Sequence, residues 1–158
     1  MNTQDRHWLG MAIDLSRLSP PSPTRYAVGA VVVDHAGAVL ATGYTGEADP
    51  RYHAEEVALA KIGERHVTTS LSTATIYSSL EPCTTRRSRP HSCTQLILAT
   101  GIRRVVLALR EPLLFAECHG VDTLRNAGVE VVEFSDLGRF VRDINSHLLG
   151  PAPLAAIR

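Results

Sequence analysis

Cysteine is scarce in this sequence. Of 158 residues only Cys83, Cys93 and Cys118 are cysteines. So few, in odd number, argue against a disulfide-stapled fold and for metal binding or catalysis in a reducing compartment. Aromatic residues are also sparse, at 5%, which speaks against a channel of aromatic platforms for single-stranded nucleic acid. Excess charge is missing altogether: sixteen Lys+Arg balance sixteen Asp+Glu, for a formal net charge of zero. A protein that coats duplex nucleic acid by bulk attraction is therefore excluded, while a small site for one or two phosphates is not. No apolar run reaches the ~18 residues of a membrane-crossing helix. The stretch Met1–His7 lacks the apolar centre of a signal peptide. The expectation is a cytoplasmic chain without a membrane partner. What is present is 44% hydrophobic and 20% charged residues, enough for a real core. One domain over residues 1–150 and a short tail over 151–158 are expected.

Patterning divides the chain into alternating elements. Trp8, Met11, Ala12, Leu15 and Leu18 recur at helical spacing, and Pro20, Pro21 and Pro23 end that helix. Residues 27–33 and 38–44 read as a hairpin around Asp34-His35-Ala36-Gly37. A helix over 53–63 follows, with Gly63 as its cap. Further strands are predicted over 74–79, 103–109 and 129–134, with helices over 92–100 and 121–127 between them. Ser135 and Asp136 are candidate caps for a last helix running to Leu149. The order predicts an α/β fold: a three-layer α/β/α sandwich around a five-stranded mixed, mostly parallel sheet. In such folds ligands lie beyond the carboxyl ends of strands, where loops meet helix N-termini.

Two of those junctions hold unusual residues. His53-Ala54-Glu55 opens one helix, and Glu81-Pro82-Cys83 follows a strand, with Cys93 ten residues on. One imidazole and two thiolates make a three-ligand zinc set that leaves a fourth position open for water. Singly each residue has a plainer reading: His53 a surface histidine, Glu55 a charge offsetting a helix dipole, the cysteines small buried apolar groups. Together they match the zinc-deaminase signature, His-x-Glu followed by Pro-Cys and a second Cys.

On these residues the chain resembles the cytidine deaminase superfamily. The resemblance runs over about residues 6–135 and includes Val28-Gly29-Ala30, Ala41-Thr42-Gly43-Tyr44, Ser79-Leu80-Glu81-Pro82-Cys83 and Ala99-Thr100-Gly101-Ile102. Most members have two residues between the cysteines; this chain has nine, Thr84 to Ser92. A long spacer is similar to the deaminase domain of riboflavin-biosynthesis deaminase-reductases, as is the stretch Val121 to Val131. That domain's Pro-Asn-Pro before the first strand is absent, and Pro23-Thr24-Arg25-Tyr26 stands there. The Thr-Gly-Tyr-Thr-Gly-Glu at 42–47 looks more like deoxycytidylate deaminases.

The resemblance implies hydrolytic deamination of an aminopyrimidine nucleotide or nucleoside at zinc held by His53, Cys83 and Cys93. Glu55 would carry protons between the attacking water, a ring nitrogen and the departing amine. The backbone N–H of Ala54 and the carbonyl of Ser79 would hold the ring. Arg86, Arg87, Arg89 and His91, in the spacer, are candidates to grip a ribose phosphate, with Arg110 and His119 behind them; a solvated loop is the plain alternative. The substrate stays open between a diaminopyrimidine ribosyl phosphate and a cytosine, guanine, pterin or secondary-metabolite base. A homo-oligomer is expected, and in the riboflavin reading a separate reductase. A structural-zinc binding module is the competing class; it needs a fourth ligand such as His91 or Cys118. A deaminase of bases in RNA or single-stranded DNA is disfavoured by the neutral charge.

Overall fold

Val31, Val32, Val105, Val106 and Leu107 are fully buried, and this β-branched centre sets the architecture. The computed structural model describes residues 2–65, 70–84, 91–111 and 118–149. Its five strands are β1 (Gly29–Val33), β2 (Val39–Tyr44), β3 (Thr75–Leu80), β4 (Arg104–Leu109) and β5 (Glu130–Glu133). They form one sheet in the order β2-β1-β3-β4-β5. β1 runs antiparallel to both β2 and β3, whereas β3, β4 and β5 are parallel. The sheet is thus mixed as expected, but evenly so rather than mostly parallel. The hairpin inserts β1 between β2 and β3, so one extra antiparallel pairing arises that local sequence does not encode.

Helix α1 (Asn2–Ser16) covers β1 and β3 on one face, beside α5 (Gly138–Ile144). Helix α2 (Ala54–Glu64) lies on β2 and β1 and meets α3 (Cys93–Thr100), which meets α4 (Gly120–Asn126). That is the three-layer arrangement. The core stripe of α1 is Leu9, Ala12 and Ile13, with Asp5 and Ser16 also buried. It is rotated from the expected stripe: Trp8, Met11 and Leu15 pack partly buried at its margin, and Leu18 is exposed. The reason is polar. Asp5 faces inward because Arg104 Nη1 and Nη2 donate to its two oxygens at 2.8 and 2.7 Å and Tyr77 Oη donates to Oδ1 at 2.8 Å. These bonds tie α1 to β3 and β4 and hold the Asp5 carboxyl below its ordinary range.

Element ends differ from expectation in three places. α2 runs through Gly63 and closes on Arg65, whose N–H reaches the carbonyls of Gly63 and Lys61. Ser135–Leu137 forms a 3-10 turn rather than a cap, and the last helix is broken at Asn145 into α5 and α6 (Ser146–Leu149). Asn145 is fully buried: its Oδ1 accepts from Ala27 N–H at 2.7 Å and its Nδ2 donates to Ala27 O at 3.1 Å. An interior side chain that bonds backbone in this way competes with helix continuation. The expected tail at 151–158 lies outside the described residues. Among the described residues no helix is long and apolar enough to cross a membrane.

The packing of α2 on β2 determines where its first residues sit. A Cβ on Gly43 would lie 2.4 Å from Ala54 O and 2.9 Å from Ala58 N. Only glycine allows this approach, which brings the start of α2 onto the sheet at the carboxyl end of β2. The carboxyl ends of the parallel strands β3 and β4 open on the same side, as does the start of β1.

Candidate active site

Three polar side chains converge at that edge. His53 is the N-cap residue of α2, in extended conformation. Cys83 follows the end of β3, and Cys93 is the first residue of α3, whose N-cap Ser92 accepts from Gln95 N–H. His53 Nδ1 lies 3.6 Å from Cys83 Sγ and 3.3 Å from Cys93 Sγ. The candidate ligand atoms of all three residues lie within 4.8 Å of one another. Among the described residues this group has no fourth His, Cys, Asp or Glu. Three donors, two of them sulfur, are the ligand number zinc takes from the protein in catalytic rather than closed structural sites. The donor chemistry therefore fits that metal.

Several buried groups support the three. Glu56 Oε1 accepts from the backbone N–H of His53 at 3.3 Å. Cys93 N–H donates to Cys83 Sγ at 3.3 Å. Thr94, almost wholly buried, donates to Cys83 O from both its N–H, at 3.1 Å, and its Oγ1, at 2.7 Å. The two cysteines are thus joined directly, whatever the nine residues between them do. Hydrogen bonds from Cys93 and His53 hold the Cys83 thiol well below its ordinary value against the cost of burial. The N-termini of α2 and α3 both open on the cluster, which also favours thiolate.

Glu55 is 3% exposed and close enough to His53, Cys83 and Cys93 for all three to act on its carboxyl, so it sits against the cluster without belonging to it. Burial raises its carboxyl above the usual range, and the neighbouring His53 opposes that rise. A carboxyl so placed is suited to exchange protons. Ala54 is buried at the first position of α2. Ser79 is fully buried near the end of β3, where its Oγ accepts from Gly29 N–H at 3.0 Å. His91 is exposed, two residues before Cys93. Arg86, Arg87 and Arg89 lie outside the described residues.

Other expectations are redirected. Arg110 is engaged by Glu133 at 2.7 and 2.9 Å, not turned to the site. Cys118 is a half-buried free thiol outside the ligand group, and its Sγ donates to Pro82 O at 3.4 Å. Tyr26 and Tyr44 are half-buried. Glu111, just past β4, escaped the sequence reading: burial pushes its carboxyl up to about 7, the charges on Cys83 and Glu81 add to this, and Cys118 opposes it. Nothing in its local sequence marks it. Glu56 and Thr94 were missed too. For Glu56 a signal existed, since an acidic residue three past an N-cap is a capping pattern.

The family model for the cytidine and deoxycytidylate deaminase zinc-binding region matches residues 2–109. The chain belongs to that family. It is 40% identical over 122 residues to the diaminohydroxyphosphoribosylamino-pyrimidine deaminase of Schizosaccharomyces pombe, a match covering 77% of this chain and 30% of the relative. Among solved structures it is similar to the diaminohydroxyphosphoribosylaminopyrimidine deaminase/5-amino-6-(5-phosphoribosylamino)uracil reductase of Thermotoga maritima. There the TM-score is 0.74 and the identity 31%, covering 90% of this chain and 39% of that one. It is also similar to the Aspergillus oryzae Rib2 deaminase in complex with DARIPP (TM-score 0.73, identity 25%), covering 94% of this chain and 92% of that one. The chain spans about a third of the length of the curated relatives it matches.

Proposed function

We propose that this chain is a hydrolytic deaminase that removes the exocyclic amine of an aminopyrimidine nucleotide of the diaminohydroxyphosphoribosylaminopyrimidine class. One observation carries the chemistry: buried Glu55 lies against a His53–Cys83–Cys93 cluster whose ligand atoms are all within 4.8 Å. The substrate class is supported by the relatives, since the deaminase whose chain is matched over 92% of its length was solved with DARIPP.

His53, Cys83 and Cys93 would hold zinc. When bound, that ion supplies a Lewis-acidic position at which water becomes a nucleophile near neutral pH. Glu55 takes the first proton of the attacking water and delivers it to a ring nitrogen; it then takes the second, from the hydroxyl now on the ring carbon, and passes it to the amine, which leaves as ammonia as the C–N bond breaks and the carbonyl forms. The N–H of Ala54 and the carbonyl of Ser79 orient the ring. Arg86, Arg87, Arg89 and His91 are the candidates for the ribose phosphate, an assignment that rests on sequence. The Thermotoga maritima relative pairs a deaminase with a reductase by name, and in this reading a reductase acts beside this chain. The chain itself works as a homo-oligomer, which light scattering of the purified protein tests.

The decisive experiment is ammonia release by the zinc-loaded protein over a panel of diaminopyrimidine, cytosine, guanine and adenine nucleosides, each with and without 5′-phosphate. Turnover of the diaminopyrimidine nucleotide alone, dependent on phosphate, is expected. Preference for a cytosine nucleotide would move the assignment to the deoxycytidylate side of the family, and turnover of none would remove it.

A further inference from the structure

Glu81 is 5% exposed, and both its oxygens are in use. Oε1 accepts from Glu111 N–H at 2.9 Å, Oε2 accepts from Val121 N–H at 2.8 Å, and the Glu81 N–H itself donates to Leu109 O at 2.8 Å. The two side-chain partners are ten residues apart in sequence. One carboxylate thus gathers the chain just past β4 and the first turn of α4 onto the turn that carries Cys83.

Neighbouring contacts work the same way. A Cβ on Gly120 would lie 2.1 Å from Pro82 O and 3.0 Å from Glu81 Cγ, so the first turn of α4 rests directly on that turn. Cys118 Sγ donates to Pro82 O at 3.4 Å, and His119 N–H donates to Thr84 Oγ1 at 3.3 Å. Glu81, Pro82 and Thr84 are therefore all contacted by the 118–121 stretch. The carbonyl of Cys83 accepts from Thr94.

We infer that Glu81 is a positioning residue: by accepting the N–H groups of Glu111 and Val121 it fixes the Cys83 turn against the wall after β4, and so sets the geometry at which Cys83 meets the metal. The inference rests on the deaminase reading only for the identity of the metal centre. The carboxylate form is needed because both partners are donors. Glutamine has the same shape, but its amide nitrogen would face one of the two N–H groups. Groups that orient a ligand in this way change metal affinity by about 10–100-fold when altered.

The test uses the full chain with Glu81→Gln and Glu81→Asp, loaded with Co²⁺ or Zn²⁺. Metal affinity is read by chelator competition, and ligand geometry by the Co²⁺ ligand-field and thiolate charge-transfer bands. We expect Glu81→Gln to fold, to bind zinc on the order of tenfold more weakly, and to shift the Co²⁺ bands. Glu81→Asp, which keeps an acceptor-only group, should recover part of both. Where activity is present, kcat should fall more than KM rises. Wild-type affinity and Co²⁺ spectrum in folded Glu81→Gln would overturn the inference and leave Glu81 a structural clamp. So would failure of both variants to fold. If the wild-type protein bound metal but released no ammonia from any substrate, the function above would fail while these spectra still tested Glu81.

Discussion

The backbone N–H of Cys93 donates to the sulfur of Cys83 at 3.3 Å. A few atoms away Thr94 Oγ1 donates to Cys83 O at 2.7 Å. These contacts join the two thiols through the start of α3. An amide N–H on a thiolate also draws off charge, which tunes the sulfur as a ligand.

Thr94→Val keeps the volume of the side chain and removes its donor. Cys83 O then keeps the Thr94 N–H. Zinc affinity is expected to fall on the order of tenfold, with an unchanged far-ultraviolet circular dichroism spectrum. Chelator competition measures the first, and an affinity equal to wild type would refute the clamp.

Glu55→Gln removes the proton carrier and keeps the shape. We expect kcat to fall by about 10²–10⁴ while one equivalent of zinc is retained. Because burial raises the Glu55 carboxyl, its charged form is disfavoured in the metal-free fold. Metal-free wild type should therefore lose stability relative to Glu55→Gln as pH rises through the carboxylate range. Parallel stability curves for the two proteins would contradict the raised value.

Asp5→Asn tests the anchor of α1 far from the metal. Arg104 holds the Asp5 carboxyl below its ordinary value. The stability this contributes is present above the usual carboxylate pKa and is lost as pH falls through the lowered one. At neutral pH the substitution should cost about 1.5–3 kcal/mol, the range for hydrogen bonds to charged groups. The difference from wild type should shrink in acid. Chemical denaturation at two pH values measures it, and a constant difference would rule the linkage out.

The chemistry-bearing residues are legible in the chain because their signal is local. His53 and Glu55 are two apart at a helix start, and Cys83 directly follows a proline at a strand end. The strands of the core are legible for the same reason, since runs such as Val31-Val32-Val33 suit little else. Support for those residues is not local. Glu81 bonds residues thirty and forty positions away, and Thr94 bonds one eleven positions away. The core stripe of α1 was misplaced because Asp5 looks like a surface residue until Arg104, ninety-nine positions on, is beside it.

Read alone, the sequence determined the order of elements, the family resemblance and the identity of the candidate ligands, because short-range periodicity and motif spacing carry that information. Only the tertiary structure decided that β1 lies antiparallel between β2 and β3, that Arg110 is engaged by Glu133, and that Cys118 stands outside the ligand group. Those outcomes depend on which distant backbone donors, acceptors and charges meet once the sheet has formed. A buried polar group must find a partner wherever in the chain that partner lies.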